Sequence, residues 1–514
     1  MKRACGILLP IFSLSGNYGI GGFSKEAYRF IDQLKEAGQS YWQILPLGPA
    51  GLGNSPYQCY TAFAGDMNYI SLEKLIEEGL LSREEVESAD WGGERRSVSY
   101  EKLALHRENI LRSAFERYQA SGENKELFRF DRIRLSDETK TYCVFQALKK
   151  AYQGLPWMEW EEGIRLRKEE SLAKAEKELA GEIEFYEWVQ RVFAHQLREL
   201  RAYAGEKGIK IIGDMPIYIS YDSADAWSHP ELFLFNEDNE PEFVAGCPPD
   251  YFAPEGQRWG NPLYDWDYHR KTEYEWWIKR MEYEFGLYDY VRIDHFRGFD
   301  EYYSIPSSNP TAIGGTWMKG PNIEIFDKMK EYFAERFGGK ELPIIVEDMG
   351  FITESVVKLV KDSGFPSMKV LEFAFDSDCR NIYLPHNYER NCVAYTGTHD
   401  NLPLKGWIDG LSDETRLYMI RYLGAEHTPY EELHWDCIRT VLSSVADTVI
   451  IPMQDYLGLG KEARINEPGT ESGNWRWRML EDEFGADLIW HCEMLSAIYG
   501  RKQEARKQPE GIDE

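Results

Sequence analysis

Residues 273–294 read EYEWWIKRMEYEFGLYDYVRID and join an amphipathic helical segment to a short apolar run. The apolar residues of the helical segment share one face: Tyr274, Trp277, Ile278, Met281 and Phe285. We interpret this face as core packing. The run that follows, 289–295, is too short for a helix and predicts a buried strand with Asp294 near its end. A helix followed by such a strand is the repeating unit of an α/β fold with parallel strands.

The same alternation extends from this segment in both directions along the chain. Near the start, Ser24 is a good N-cap for a helix with one apolar face, and Gly38 ends that helix. Short apolar runs predict eight strands, near 4–9, 41–46, 209–214, 289–295, 343–347, 368–374, 392–397 and 447–453. Amphipathic helices follow these runs. We therefore predict a single α/β unit over 1–514, a (β/α)8 TIM barrel.

Two intervals are too long to be simple connections between strands. Between the second and third strands the sequence is helical and rich in charge, which predicts a helical insertion over 66–182. After the third strand, 216–268 is rich in Pro, Gly and aromatic residues and has little periodicity. A loop of this length in a barrel predicts a segment that covers the active-site face.

Composition narrows the possible partners. The formal net charge is −28 and the sequence pI is about 4.9, so phosphate backbones and anionic membranes would be repelled. We expect neither nucleic acid nor membrane as a partner. The 16 Trp and 32 Tyr residues suit hydroxyl-rich ligands such as sugars, although many of these rings could simply fill a large core.

The cysteines and the first residues indicate the compartment. Eight Cys residues occur without a C-x-x-C pair, and no His cluster has metal-ligand spacing, so we expect buried thiols, no metal and no cofactor. The opening MKRACGILLPIFSLSG resembles a signal peptide superficially, but Pro10 interrupts it and no small-residue cleavage site follows. We interpret it as the first barrel strand and expect a cytoplasmic protein.

Three acidic residues stand at the carboxyl ends of three predicted strands. Residues 291–299 read VRIDHFRGF, residues 344–350 read IIVEDMG, and residues 395–401 read YTGTHDN. In a barrel, side chains at these strand ends converge on one mouth, so Asp294, Glu347 and Asp400 are candidate catalytic residues. The alternative is that they are structural acids that bind loop backbone.

The cleavage of a glycosidic bond is a reaction that needs such a group of carboxylates. A retaining enzyme needs one carboxylate as nucleophile and one carboxylic acid as proton donor, about 5 to 5.5 Å apart. Arg292 shares a strand face with Asp294 and could keep it ionised, whereas Asp348 points away and is interpreted as structural. His295 and His399 could donate hydrogen bonds to sugar hydroxyls, or could fill ordinary structural positions.

The same segments carry a resemblance to a known family. RIDHFRGF, VEDMG and GTHDN resemble the catalytic segments of the α-amylase clan. Further stretches are similar to glycoside hydrolase family 77, the amylomaltases and disproportionating enzymes: WQILPLGP (42–49), GNSPYQCYTAFAG (53–65), GDMPIYIS (213–220), SADAW (223–227), PPDYF (248–252), GQRWGNPLY (256–264), LGLGKEARINEPG (457–469) and NWRWR (474–478). The match runs from the first strand almost to the end of the chain.

The resemblance implies a role for each candidate residue. Asp294 would be the nucleophile, Glu347 the general acid/base, and Asp400 the residue that holds the distorted sugar. The residues implied in substrate binding are Tyr57, Asp214, Tyr251, Trp259, Asn261, Arg292, His295 and His399. Phe252 would join Tyr251 and Trp259 in a loop that covers the glucan and excludes water. Asp66 and Met67 depart from the Asn-Pro that is common in the family, and Cys247 replaces a small aliphatic residue.

The resemblance also implies the reaction. It points to a 4-alpha-glucanotransferase that acts on alpha-1,4-glucans and maltooligosaccharides, with glucose or maltose as acceptor and without cofactor or metal. A hydrolase of the same clan is the first alternative, because it would use the same three acids. A non-catalytic glucan-binding protein is the second, and the presence of all three acids argues against it.

Overall fold

The computed structural model describes residues 1–249, 253–339, 341–470 and 472–503. Eight parallel strands close into a barrel: β1 (Ala4–Leu8), β2 (Tyr41–Gln43), β3 (Lys210–Met215), β6 (Tyr290–Ile293), β9 (Ile344–Val346), β10 (Ser367–Val370), β11 (Cys392–Tyr395) and β12 (Thr448–Pro452). Their order around the barrel is β1-β12-β11-β10-β9-β6-β3-β2. The predicted (β/α)8 barrel is confirmed, and each strand lies where a short apolar run predicts it.

A second sheet has four antiparallel strands in the order β5-β4-β7-β8. They are β4 (Phe243–Cys247), β5 (Gln257–Pro262), β7 (Glu301–Pro306) and β8 (Thr316–Lys319). Two of them fall inside 216–268, where the sequence shows little periodicity. Here β4 pairs with both β5 and β7, so backbone hydrogen bonds stabilise these short strands without an alternating apolar face.

Helices surround the barrel and fill the intervals between its strands. The α-helices are α1 (Lys25–Glu36), α2 (Leu72–Glu77), α3 (Arg83–Glu87), α4 (Tyr100–Ala120), α5 (Asp137–Ala151), α6 (Glu162–Arg165), α7 (Glu169–Glu178), α8 (Ala180–Lys207), α9 (Ala224–Ser228), α10 (Trp266–Lys271), α11 (Glu275–Leu287), α12 (Ile323–Phe337), α13 (Glu354–Ser363), α14 (Leu404–Gly410), α15 (Asp413–Leu423), α16 (Leu433–Ser443), α17 (Met453–Tyr456) and α18 (Ala486–Ile498). Single 3-10 turns occur at Ile11–Ser13, Leu52–Asn54, Met67–Tyr69, Gly122–Leu127, Arg129–Arg132, Trp157–Glu159, Pro230–Leu232, Phe296–Phe299, Leu371–Phe373, Pro385–Asn387, Tyr430–Glu432 and Lys461–Ala463. Helices α2 to α8 occupy the interval between β2 and β3.

The barrel has an inner and an outer core. Side chains that point into the barrel form one buried cluster, which includes Leu8, Ile345 and Tyr395, while a larger cluster lies between the strands and the helices. This division follows from the alternation of side chains along each strand. No helix in the described part of the chain combines the length and the apolar character needed to cross a bilayer.

Two local expectations need correction. The strand expected over 368–374 ends at Val370, and its apolar continuation Leu371–Phe373 forms a 3-10 turn. Not all cysteines are buried thiols, because Cys379 is exposed on the surface.

Asp66, which stands where the family commonly has Asn, has a local structural role. Its carboxylate accepts a hydrogen bond from the amide of Asn68 at 2.8 Å and caps the turn Met67–Tyr69.

Candidate active site

Strand register brings the first two candidate acids together. Arg292 on β6 pairs with Ile345 on β9, and Ile293 pairs with Val346. Asp294 and Glu347 are the next residues along these two strands, and the Glu347 amide donates to the Ile293 carbonyl at 3.1 Å. Because neighbouring strands lie about 4.8 Å apart, the two carboxyl groups start from adjacent backbone positions at the carboxyl end of the barrel.

Arg292 links Asp294 to a third acid, Asp214. Its guanidinium, which is 2% exposed, donates from Nη1 to both carboxylate oxygens of Asp214 at 2.7 Å. The same nitrogen lies 3.0 Å from Asp294 Oδ1. Asp214 and Arg292 are register partners on β3 and β6, so the barrel itself sets this contact. Asp294 is thereby held from one side while its side chain stays 28% exposed toward the mouth.

The two adjacent acids share an environment that favours protonation. Burial raises the pKa of Asp294 well above its ordinary range; Arg292 opposes this rise, and the Glu347 carboxylate adds to it. The Arg292 contact expected from the sequence is present, but it does not outweigh burial. Burial also raises the pKa of Glu347, against the effect of Arg292 and of two backbone amides. Such a pair titrates as a unit and retains a proton at a pH where isolated carboxyls would have lost theirs.

Backbone amides orient Glu347. The amide of His295 donates to Oε2 at 2.6 Å, and the amide of Met349 donates to Oε1 at 3.3 Å. His295 adopts a left-handed backbone conformation with φ of 51°, which turns the chain directly after Asp294. Asp348 points elsewhere and accepts the amide of Met368 at 3.0 Å, which is a structural contact.

Residues in the segment after β12 hold Asp400 in place. The side-chain amide of Asn466 donates to Asp400 Oδ1 at 2.6 Å, and Arg464 donates to the Asp400 carbonyl at 2.9 Å. His399 Nε2 lies 3.3 Å from the same carboxylate oxygen. The Asp400 side chain remains 40% exposed, so these contacts fix its direction without covering it.

Tyr57 connects the Asp214 side of the site with the Asp400 side. Its hydroxyl donates to Asp214 Oδ2 at 2.9 Å, and its ring stacks on His399 at a centroid distance of 5.2 Å and an angle of 16°. Trp475 packs beside both rings. Burial and the nearby Asp214 raise the pKa of Tyr57 well above its ordinary value, so it stays a hydrogen-bond donor. One continuous set of contacts therefore runs from Asp294 to Asp400.

His295 and Trp259 meet on the opposite side of the site. Trp259, on β5, packs edge-on against the His295 ring with centroids 4.8 Å apart. Burial lowers the pKa of His295 to about 3, so the ring is a neutral imidazole. Its Nε2 is buried and has no hydrogen-bond partner among the described residues.

Of the remaining residues predicted to bind substrate, Asn261 is described by the structure and Tyr251 is not. Asn261 is 4% exposed, donates to the Ile219 carbonyl at 2.7 Å and exchanges a hydrogen bond with Gln58, so it joins two loops. Tyr251 and Phe252 lie outside the described residues. Within the described residues, no group of three or more His, Cys, Asp and Glu side chains is placed to hold a metal ion.

Sequence reasoning missed several residues that shape the site. Asn466, Arg464 and Trp475 lie in the stretches 457–469 and 474–478, which carry the family resemblance but no assigned role. Their position after the last barrel strand was the available signal, because loops after barrel strands form the mouth. No local pattern marks Asn401 and Glu372, which hold the Asp400 loop through contacts between distant segments.

Comparison with known proteins gives a consistent result. The sequence profile of glycoside hydrolase family 77, described as 4-alpha-glucanotransferase, matches residues 9–482. The 4-alpha-glucanotransferase of Clostridium butyricum is 44% identical over 96% of this chain and 100% of its own length. That of Thermus thermophilus is 44% identical over 95% and 97%. The solved amylomaltase from Streptococcus agalactiae in complex with acarbose has a TM-score of 0.91 and 38% identity over 98% of this chain and 100% of its own.

Proposed function

Because the chain belongs to glycoside hydrolase family 77 and is a 4-alpha-glucanotransferase, we propose that Asp294, Glu347 and Asp400 carry out its retaining transfer reaction. The observation that carries this proposal is the adjacent placement of Asp294 and Glu347 on β6 and β9, with Arg292 against Asp294 at 3.0 Å. A nucleophile and a proton donor on neighbouring strands suit a double displacement.

In the first step an Asp294 oxygen attacks the anomeric carbon of the donor glucan. The glycosidic carbon–oxygen bond breaks, and Glu347 gives its proton to the departing 4-oxygen. In the second step the 4-hydroxyl of an acceptor loses its proton to Glu347 and attacks the same carbon, which releases Asp294. The proposed roles need an ionised Asp294 and a protonated Glu347, and the Arg292 contact at 3.0 Å from Asp294 Oδ1 opposes protonation of Asp294.

Asp400 and its neighbours are proposed to hold the sugar that reacts. The half-exposed Asp400 carboxylate can accept hydrogen bonds from ring hydroxyls, and these strengthen as positive charge develops on the ring. We assign His399, Tyr57, Asp214 and Arg292 to the wall of this subsite, and His295, which packs against Trp259, to the adjoining wall. Neutral imidazole and Tyr hydroxyl groups suit a ligand that carries no charge.

Transfer rather than hydrolysis requires that water be excluded while the intermediate waits for a sugar. We propose that the region 216–268, which carries Trp259 and Tyr251, covers the bound glucan. The packing of Trp259 against His295 supports this assignment, because it brings that region to the residue after Asp294. The helical interval 66–182 is proposed as a separate structural insertion.

The proposed substrates are alpha-1,4-glucans and maltooligosaccharides, with glucose or maltose as acceptor. The acarbose bound by the Streptococcus agalactiae amylomaltase, a protein of the same fold over its whole length, supports an oligosaccharide site. We also propose a cytoplasmic location, which the five buried cysteines support because free thiols in a core are typical of reducing compartments.

Maltotriose tests the proposal directly. Wild-type protein should yield glucose and a ladder of products both longer and shorter than the substrate. Replacing Asp294→Asn or Glu347→Gln should reduce turnover by several orders of magnitude, because the first removes the nucleophile and the second the proton donor. Glu389→Gln, which changes an exposed carboxylate, is the matched control and should behave as wild type. Full activity in Asp294→Asn would refute the assignment, and products no longer than maltotriose would indicate hydrolysis.

A further inference from the structure

Two aromatic side chains in segments near the active site are exposed next to each other. Trp317, on the edge strand β8, is 37% exposed, and Phe351, in the loop after β9, is 44% exposed. Their ring centroids lie 6.5 Å apart at an angle of 66°. Large apolar side chains exposed side by side often mark a binding surface.

Arg297 contacts both residues of this pair. Its guanidinium carbon lies 3.8 Å from the centroid of the Trp317 ring, and its Nη1 donates to the Phe351 carbonyl. Arg297 is itself only 3% exposed, so it contacts the indole from the buried side, while 37% of Trp317 remains exposed. The indole is thereby held in place as a partly exposed platform.

The chain connections place the platform beside the catalytic acids. Arg297 lies in the turn Phe296–Phe299, three residues after Asp294. Phe351 follows Glu347 by four residues, a span of at most about 14 Å of extended chain. The platform thus belongs to the side of the mouth on which Glu347 stands.

If the proposed roles hold, the side of the mouth next to Glu347 is the side on which the leaving group departs and the acceptor binds. Glu347 must stand beside the glycosidic oxygen to protonate it, and the sugar beyond that oxygen is the departing glucan or, in the second step, the acceptor. A glucan that continues past Glu347 on the leaving-group side would extend toward this platform. Flat aromatic faces bind the apolar faces of sugar rings by stacking and burial of area.

We infer that Trp317 and Phe351 form an acceptor subsite that stacks on the second or later glucose of a maltooligosaccharide. The inference rests on the proposed roles of Asp294 and Glu347 and extends them to acceptor choice. A single glucose fills only the position next to the cleaved bond and cannot reach the platform. The enzyme should therefore favour acceptors of several glucose units over glucose.

Competition between labelled acceptors tests this subsite. Amylose serves as donor, and incorporation of labelled maltotetraose is compared with incorporation of labelled glucose, both well below saturation. In Trp317→Ala and in Phe351→Ala the ratio of the two should fall about fivefold to tenfold, because only the longer acceptor loses an aromatic contact. Trp317→Tyr should recover most of the ratio, since a flat ring remains.

Trp490→Ala is the matched control, because Trp490 is a 64% exposed indole on α18 and should leave the ratio unchanged. Thermal unfolding of each variant identifies any loss of folding, and Phe351→Ala keeps the test decisive if Trp317→Ala unfolds. An equal loss with both acceptors, or an unchanged ratio in both folded variants, would overturn the inference. Asp294→Asn separates it from the proposed mechanism: that variant should lose incorporation of both acceptors, and retained incorporation would refute the mechanism instead.

Discussion

Glu284 is a buried acid behind the active site that the proposed mechanism does not use. It is 7% exposed on α11, and its Oε2 has no hydrogen-bond partner among the described residues. It borders a cavity of about 40 Å³ that Asp214 and Tyr57 also line. Burial raises its pKa to about 8; Arg280 opposes the rise, and Asp214 adds to it. Glu284 is therefore largely protonated in the folded protein at neutral pH.

This shift predicts a pH dependence of stability. Between the ordinary pKa of 4.5 and about 8, the folded state binds a proton at Glu284 that the unfolded state has released. The stabilisation is complete below the lower value and is lost as pH rises to the upper one, on the order of a few kcal/mol. Glu284→Gln cannot ionise, so its thermal midpoint should fall less than that of wild type between pH 5 and pH 9.

The control for this measurement is Glu282→Gln, which changes an exposed carboxyl on the same helix. Its pH profile should follow that of wild type. If the Glu284→Gln and wild-type profiles run parallel over the whole range, the folded pKa of Glu284 is not raised.

Single residues of the site differ in how far the sequence predicts them. Asp294 and Glu347 end apolar runs, and a charged residue in that position is visible without a structure. The contact between Tyr57 and Asp214 is not, because it joins segments more than a hundred residues apart through one hydroxyl. The buried, unpartnered Nε2 of His295 likewise depends on the packing of Trp259, which no local pattern encodes.

The segment between β11 and α14 shows how a loop holds a functional side chain. Asn401 Oδ1 accepts the amide of Thr398 at 3.0 Å and its hydroxyl at 2.9 Å, and Asn401 Nδ2 donates to Glu372 Oε2 at 3.0 Å. These bonds close the loop around Asp400 and tie it to the turn after β10. The direction of the Asp400 carboxylate thus depends on a neighbour that need not touch the substrate.

Asn401→Ala should therefore lower kcat more than it changes stability. Removal of the three bonds frees the loop, and a displacement of Asp400 of about 1 Å can cost up to a hundredfold in rate. We expect kcat on maltotriose to fall about tenfold to a hundredfold while the protein stays folded. Asn109→Ala removes an exposed amide on α4 and should have no effect. An unchanged kcat in Asn401→Ala would show that Asn466, Arg464 and His399 hold Asp400 without help from Asn401.

The sequence predicted the barrel strands but not the second sheet. Each barrel strand is a short apolar run because its two faces are both covered, which leaves a clear signal. Strands β4 and β5 contain Gly246 and Gly260 and alternate poorly, and their partner β7 lies beyond β6 in the sequence. The antiparallel pairing therefore depends on long-range contacts that periodicity does not show.

Across the whole molecule, Arg501 joins the end of the described chain to the barrel. Its fully buried guanidinium donates to the carbonyls of Leu442 at 2.7 Å and of Ala4, Ala446 and Ser444 at 3.1 Å. Burial lowers its pKa to about 10, which still leaves it charged at neutral pH. One side chain thereby satisfies backbone groups next to both β1 and β12.

Arg501→Met should destabilise the whole barrel. The substitution fills part of the volume but removes the Arg501 hydrogen bonds to four carbonyls, of which only that of Ser444 also accepts from the Arg3 side chain; each buried carbonyl left unpaired costs about 1–3 kcal/mol. A clear drop in the thermal midpoint of unfolding is the expected result. Lys502→Ala, which removes an exposed ion pair with Glu493, should leave the midpoint nearly unchanged. Equal midpoints for Arg501→Met and wild type would mean that these carbonyls find other donors.

The closure of the barrel between β1 and β12 has a consequence for biosynthesis. β1 leaves the ribosome before β12, one of its two neighbours, which is translated more than four hundred residues later. At about 5–20 residues per second, one edge of β1 stays open for tens of seconds. An open strand edge invites pairing with other nascent chains. The topology therefore leaves this edge of β1 without its β12 partner for most of the time that the chain is being made.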